Sequence, residues 1–257
     1  MDFFDSHCHL NDEKFDNDRD EIIKKLKENE ITNCVVAGYN LQSSEFALEL
    51  AKENDFIYAI CGISPNDIPQ DEEELWKQLG KIKEIANEDK VKAIGEIGLD
   101  YYWNKENKEI QKLAFIEQIK IANELNKPIV IHTRDATIDT IEILKENNVI
   151  NKGIFHCCPQ NIELIKEALN LGFYISFAGP ITFKNSKNAR EIVNLVPNDR
   201  LLIETDSPYL APEPLRGTRN NPMNVKYVAK KIAEFKNIEL DEVATVTFEN
   251  ANKILKI

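Results

Sequence analysis

The sequence predicts an α/β fold, a closed (β/α)8 barrel of the TIM type, as a single domain over residues 1–257. Three observations point there. The 257 residues match the roughly 250 that such a barrel needs. Short apolar runs alternate eight times with amphipathic segments, without a long structureless gap. No Gly/Ser linker, low-complexity tract or repeat beyond the βα unit marks a second domain.

The apolar runs are Phe3 to Asp5, Cys34 to Ala37, Phe56 to Cys61, Val91 to Ile94, Ile129 to Ile131, Gly153 to Phe155, Phe173 to Phe177, and Leu201 to Ile203. They are rich in β-branched and aromatic residues and do not alternate with polar ones, the pattern of parallel strands buried on both faces. Between them, apolar residues recur at three- and four-residue steps: Leu75, Leu79, Ile82 and Ala86; Ile138, Ile141 and Leu144; Ile162, Ile165 and Leu169; Val225, Val228, Ile232 and Phe235. These spacings predict helices with one buried face. An open dinucleotide-binding sheet is disfavoured, because DSHCHL after the first strand lacks the glycine-rich phosphate turn. The Pro-rich stretch from Pro208 to Pro222 reads as a long loop leaving the eighth strand, over the mouth of the barrel.

Charge and composition narrow the function. A net charge of −12 repels a polyanion at long range and argues against stable coating of nucleic acid. A bound divalent metal would still reverse the field locally and admit a phosphate. The start, MDFFDSHCHL, has no basic segment followed by an apolar stretch, and no apolar run is long enough to span a bilayer, so a cytoplasmic protein without membrane partners is expected. The five cysteines include no pair at C-x-x-C spacing, which predicts reduced thiols rather than disulfides or a thiolate zinc site.

The four histidines all fall at the carboxyl ends of predicted strands: His7 and His9 after the first, His132 after the fifth, His156 after the sixth. Chance placement would scatter them. In an extended segment alternate side chains share a face, so His7 and His9 converge on the barrel mouth while Cys8 points away. Glu96 ends the fourth predicted strand and Asp206 follows the eighth, on the face where the βα loops of such barrels carry catalytic groups. Mixed imidazole and carboxylate ligands suit zinc, manganese, nickel or iron better than calcium or magnesium. Six ligands exceed what one open zinc site uses, and two metals sharing a carboxylate account for the surplus.

These residues resemble those of a known family. DSHCHL at 5–10, GEIGLDYY at 95–102, IHTRDA at 131–136, HC at 156–157 and ETDSPYL at 204–210 are similar to the successive signatures of TatD-type metal-dependent deoxyribonucleases in the amidohydrolase superfamily. ITFKN at 181–185, RGTRNNP at 216–222 and TFENANKIL at 247–255 extend the match. The resemblance implies a (β/α)8 fold, two divalent metal ions (zinc, manganese, magnesium or nickel) and hydrolysis of DNA phosphodiester bonds, often from an end. It assigns His7, His9 and Asp206 to one metal and His132 and His156 to the other, with Glu96 bridging. Three departures leave these ligands intact and bear on substrate range and rate: Ser64 where a His is usual, Cys157-Cys158-Pro159-Gln160 where Cys-Phe-Ser-Gly is common, and Thr218 where a Lys is usual.

The expected chemistry is a two-metal hydroxide mechanism, with Asp206 orienting the attacking water and taking its proton, and Glu96 holding the metals. Arg134, two residues after His132, and Arg219, in the loop after strand eight, are candidates to clamp a phosphate. Tyr102, with Tyr101 and Trp103 beside it, is a candidate to stack a terminal base. Lys184 reads as solvated. Cys157 is excluded as a nucleophile, since all four histidines are committed to metal and no base remains. The expected partner is a transiently bound DNA end, or another small phosphodiester or ester, acted on by a monomer. The same ligand set could serve an esterase, lactonase or D-aminoacyl-tRNA deacylase, although Glu96 stands where many such enzymes carry a modified lysine. A catalytically weak protein that binds nucleic-acid ends ranks third.

Overall fold

The computed structural model describes all residues, 1–257. Its eight strands form one parallel sheet whose spatial order is the chain order. They are β1 (Phe3–Cys8), β2 (Ile31–Ala37), β3 (Ile57–Cys61), β4 (Val91–Asp100), β5 (Ile129–Arg134), β6 (Gly153–Phe155), β7 (Tyr174–Phe177) and β8 (Leu201–Ile203). The surrounding helices are α1 (Arg19–Glu28), α2 (Leu41–Glu53), α3 (Glu72–Ala86), α4 (Lys108–Glu124), α5 (Thr137–Glu146), α6 (Ile162–Asn170), α7 (Ala189–Leu195), α8 (Val225–Lys236) and α9 (Leu240–Leu255). This is the TIM-type barrel that the alternation predicts, with a ninth helix added. No helix is long and apolar enough to cross a membrane.

The barrel is nearly closed. β8 and β1 share no regular ladder; their seam is tied by Ser6 Oγ donating to the Ile203 carbonyl at 2.9 Å and by the Asp5 carboxylate accepting the Thr205 N–H at 2.9 Å. Just beyond the strands, backbone bonds run from Asp206 N to His7 O (3.0 Å) and from His9 N to Ser207 O (2.7 Å). The seam therefore places the β1 histidines beside Asp206.

Side chains fill the interior. Phe4, Ile60, Val130, Ile154, Tyr174 and Leu202 belong to one buried cluster inside the strands, and Ala251, Ile254 and Leu255 of α9 join it. α9 thus closes the amino-end floor of the barrel, leaving the carboxyl end as the open mouth. A larger apolar layer lies between strands and helices, where Leu75, Leu79 and Ile82 of α3 and Val228 and Ile232 of α8 are buried as their spacing predicts. Ile138 departs from its predicted stripe: at 72% exposure it faces solvent in the first turn of α5, and Ile141 and Leu144 carry the buried face.

Several strands run further than their apolar runs suggest. β1 continues to Cys8 and β5 to Arg134, so His7 and His132 lie inside strands rather than after them. β4 extends to Asp100, placing Glu96 mid-strand. Its register against β5 shifts between Ile94 and Ile97, and that irregularity surrounds Glu96. Gly98 permits the extension, because its φ of +138° suits glycine and a Cβ there would overlap the His132 carbonyl.

Candidate metal centre

His7, His9, Glu96, His132, His156 and Asp206 meet at the carboxyl end of the barrel. Strand parity explains the first pair: the imidazoles of His7 and His9 lie 5.0 Å apart between ring centroids, whereas Cys8 turns outward and donates its thiol to the Val35 carbonyl. Glu96 lies between two pairs of histidines. Its Oε2 is 3.5 Å from His7 Nε2 and 3.8 Å from His9 Nε2. Its Oε1 is 3.0 Å from His132 Nδ1 and 3.3 Å from His156 Nε2. Asp206 Oδ1 faces the first pair, 3.3 Å from His9 Nε2 and 3.8 Å from His7 Nε2. One carboxylate thus divides the site into two halves, each able to hold a cation; overlapping trios within the six bring their ligand atoms within 4.8 Å of one another.

The donors fit divalent cations on a second ground. His7 is completely buried, yet neither of its ring nitrogens has a hydrogen-bond partner, an expensive state for a polar group unless something else satisfies it. Mixed nitrogen and oxygen donors suit the borderline divalent metals.

Electrostatics within the cluster follow the same division. Burial lowers the pKa of His7, and the neighbouring His156 lowers it further. Burial would lower His156 too, but the Glu96 and Glu204 carboxylates outweigh it and hold His156 well above its usual range. Burial would raise Glu96, but the imidazoles around it, His156 foremost, keep its carboxyl well below the usual value. Asp206 is likewise held low against burial, chiefly by His9.

Three carboxylates behind the ligands escape the sequence reading. Asp100, 1% exposed, places Oδ2 3.0 Å from His132 Nε2, while its Oδ1 accepts the N–H groups of Tyr102 (2.9 Å) and Trp103 (3.0 Å). Glu204 accepts the Cys157 N–H at 2.6 Å and lies 3.4 Å from His156 Nδ1, near enough to attract but not aligned as a hydrogen bond. Asp5 accepts the Thr205 hydroxyl at 2.5 Å and fixes the turn that carries Asp206. Spacing held the signal, since Asp5 precedes His7 by two residues, Asp100 follows Glu96 by four and Glu204 precedes Asp206 by two.

The centre opens into a cavity of about 760 Å³, within the range of small-ligand sites. Ser64, Asn66, Trp103, Arg134, Cys157 and Tyr209 contribute to its walls. Ser64 donates its hydroxyl to Asp67 at 2.7 Å. Burial, with Asp206 and Glu204 nearby, pushes the Cys157 thiol well above its usual range, which leaves it un-ionised and a poor nucleophile. Arg134 reaches the mouth with its guanidinium 3.8 Å above the Tyr102 ring centroid. Tyr102 is 47% exposed and supports Arg134 rather than lining the cavity. Tyr101 is buried and bonds Asp139 through its hydroxyl at 2.6 Å.

Arg219, expected as a second phosphate clamp, lies apart from the cavity. Its guanidinium is committed to both oxygens of Asp18 (2.9 and 2.5 Å) and to the Lys14 carbonyl, and it forms no part of the cavity wall. The partner lies in a different βα loop, so Arg219 braces two loops together. Lys184 lies in a separate surface groove with Glu213 and Lys230.

Comparison with known proteins agrees with this architecture. The chain is 48% identical over 257 residues to an uncharacterized metal-dependent hydrolase, YabD, of Bacillus subtilis, covering 99% of each chain. It is 41% identical to the uncharacterized metal-dependent hydrolase YcfH of Escherichia coli K12, covering 98% of this chain and 95% of the relative. Among solved structures, the TatD homologue YjjV of E. coli superposes with a TM-score of 0.92 at 24% identity, covering 99% of this chain and 98% of that one. An organophosphorus hydrolase of Deinococcus radiodurans shares the fold at a TM-score of 0.71, with 15% identity, 98% of this chain and 92% of that one. The model of the TatD-related DNase family matches residues 4–256, and the chain belongs to that family.

Proposed function

We propose that the chain is a metal-dependent hydrolase that cleaves phosphodiester bonds in DNA, working from strand ends. The observation that carries this reading is the position of Glu96, whose two oxygens face two separate pairs of histidines. The family's description as DNases and the relatives' description as metal-dependent hydrolases support it. Two divalent cations in such a centre lower the pKa of water and stabilise charge on the attacking and leaving oxygens.

The chain's own residues supply the rest. Asp206, kept ionised by His9, projects into the cavity beside the first half of the centre and accepts a proton from the attacking water. Asp100 accepts from His132 Nε2 and so leaves the Nδ1 lone pair directed at the centre. Arg134, at the rim, neutralises a substrate phosphate.

The reading is tested by incubating purified, metal-loaded protein with end-labelled single-stranded and duplex oligonucleotides, with His132→Ala as the control for contaminating nucleases. A ladder of products shortened from one end, absent with His132→Ala, is expected. Turnover of lactones or D-aminoacyl-tRNA without any cleavage of DNA would overturn it in favour of carbon-ester hydrolysis.

A further inference from the structure

The charge map around the mouth sets how much of a strand this site can grip. We infer that the protein recognises a single nucleotide at a strand end, through one stacked base and one phosphate, rather than a length of strand; the inference rests on the phosphodiesterase reading.

Arg134 is the sole Lys or Arg in the cavity wall. Its guanidinium carbon lies over the Tyr102 ring at 3.8 Å from the centroid and 5.5 Å from the Trp103 ring centroid. Unlike Arg219, which is paired with Asp18, Arg134 is paired with no carboxylate, so its N–H edge can take a phosphate bidentately. Trp103, 66% exposed and set at 89° to Tyr102, stands in the cavity wall as a platform for one base. Asp100 holds this turn through the Tyr102 and Trp103 N–H groups and touches His132 with its other oxygen. The base platform and the metal centre are therefore fixed to the same carboxylate.

Beyond that point the surface turns against a polyanion. On one side, a groove that shares Tyr39 and Tyr209 with the cavity is lined by Asp12, Glu13, Glu45 and Glu49, four carboxylates against Lys14, whose amine lies over the Tyr209 ring at 4.1 Å. On the other, a groove that shares Thr133 and Pro159 carries Asp135, Lys108 and Asp139, the last already paired with Lys112 at 2.8 Å. Lys108 itself lies over the Tyr101 ring at 4.3 Å. A strand leaving the cavity in either direction meets carboxylates, and the net charge of −12 adds long-range repulsion. Further nucleotides thus bring phosphates to a surface where carboxylates outnumber cations, and where Lys14 and Lys108 already lie over the Tyr209 and Tyr101 rings.

The test is the KM of metal-loaded protein for single-stranded DNA from the dinucleotide to the hexadecamer, measured across a salt series. The expected result is a KM constant to within about threefold over length, with a log–log salt slope of about −0.7, as for one neutralised phosphate. A KM that falls more steeply with length, or a steeper salt slope, overturns the inference. Arg134→Gln should raise KM about tenfold at every length, the loss of one charge-assisted contact; an unchanged KM also overturns it. No cleavage at any length overturns the phosphodiesterase reading itself, whereas cleavage with a length-graded KM overturns only the single-nucleotide grip.

Discussion

Asp100→Asn isolates what one buried carboxylate does for the metal centre. Burial would raise the Asp100 pKa, but His132 and the Trp103 N–H bring it down to about 2, so it accepts hydrogen bonds as a carboxylate at neutral pH. Asparagine is nearly isosteric. Its Oδ1 keeps the bonds from Tyr102 and Trp103, now 2.9 and 3.0 Å, while its Nδ2 replaces the oxygen that faces His132 at 3.0 Å. His132 Nε2 must then accept, which moves the ring proton to Nδ1, the nitrogen 3.0 Å from Glu96 Oε1. A proton would stand where a cation needs a lone pair. The lost charge-assisted bond is worth about 1.5–3 kcal/mol, or roughly 10- to 100-fold in affinity, the range seen when partners behind metal-bound histidines are removed. We predict that calorimetric titration of chelator-stripped protein with zinc shows one of two binding events weakened by that factor and the other retained. Unchanged affinity for both ions would refute the tautomer assigned to His132.

Three further predictions follow from the geometry. In metal-free protein, His9, His132 and His156 have raised pKa values, so their contribution to stability is complete below the unfolded value of about 6.5 and is lost as pH rises through the folded values; His7, lowered, works in the opposite sense. The Tm of stripped protein should therefore fall from pH 6 toward about pH 8, whereas zinc should stabilise more as pH rises; a Tm that climbs over this window argues against the charge assignment. Arg219→Gln should lower Tm slightly and leave KM for oligonucleotides unchanged, because its partner is Asp18; a raised KM would return it to the binding site. Gly98→Ala should cost more than about 2 kcal/mol in urea unfolding, since the new Cβ would overlap the His132 carbonyl at a φ that disfavours side chains, and a neutral effect would contradict the close approach of β4 and β5.

The fold was legible because buried parallel strands and amphipathic helices write different periods into sequence, and eight alternations leave few alternatives. The metal centre was legible for a different reason. Histidine is scarce here, four in 257 residues, so its appearance at strand ends stands out. Carboxylates carry no such contrast among 44 acidic residues, which hid Asp100 and Glu204. Ending the fourth apolar run at Ile94 cut β4 short and hid the strand that carries both Glu96 and Asp100. The Asp18 partner of Arg219 was not legible, because nothing local in sequence announces a partner 201 residues away. Arg134, two residues beyond His132 on a strand, was placed by the same alternation that places the ligands.

Anomalous diffraction from crystals soaked in zinc tests the central claim most directly. Two peaks per chain are expected, one between Glu96 Oε2 and the His7–His9 pair, the other between Glu96 Oε1 and the His132–His156 pair. A single peak, or none at the barrel mouth, would contradict a centre divided by Glu96.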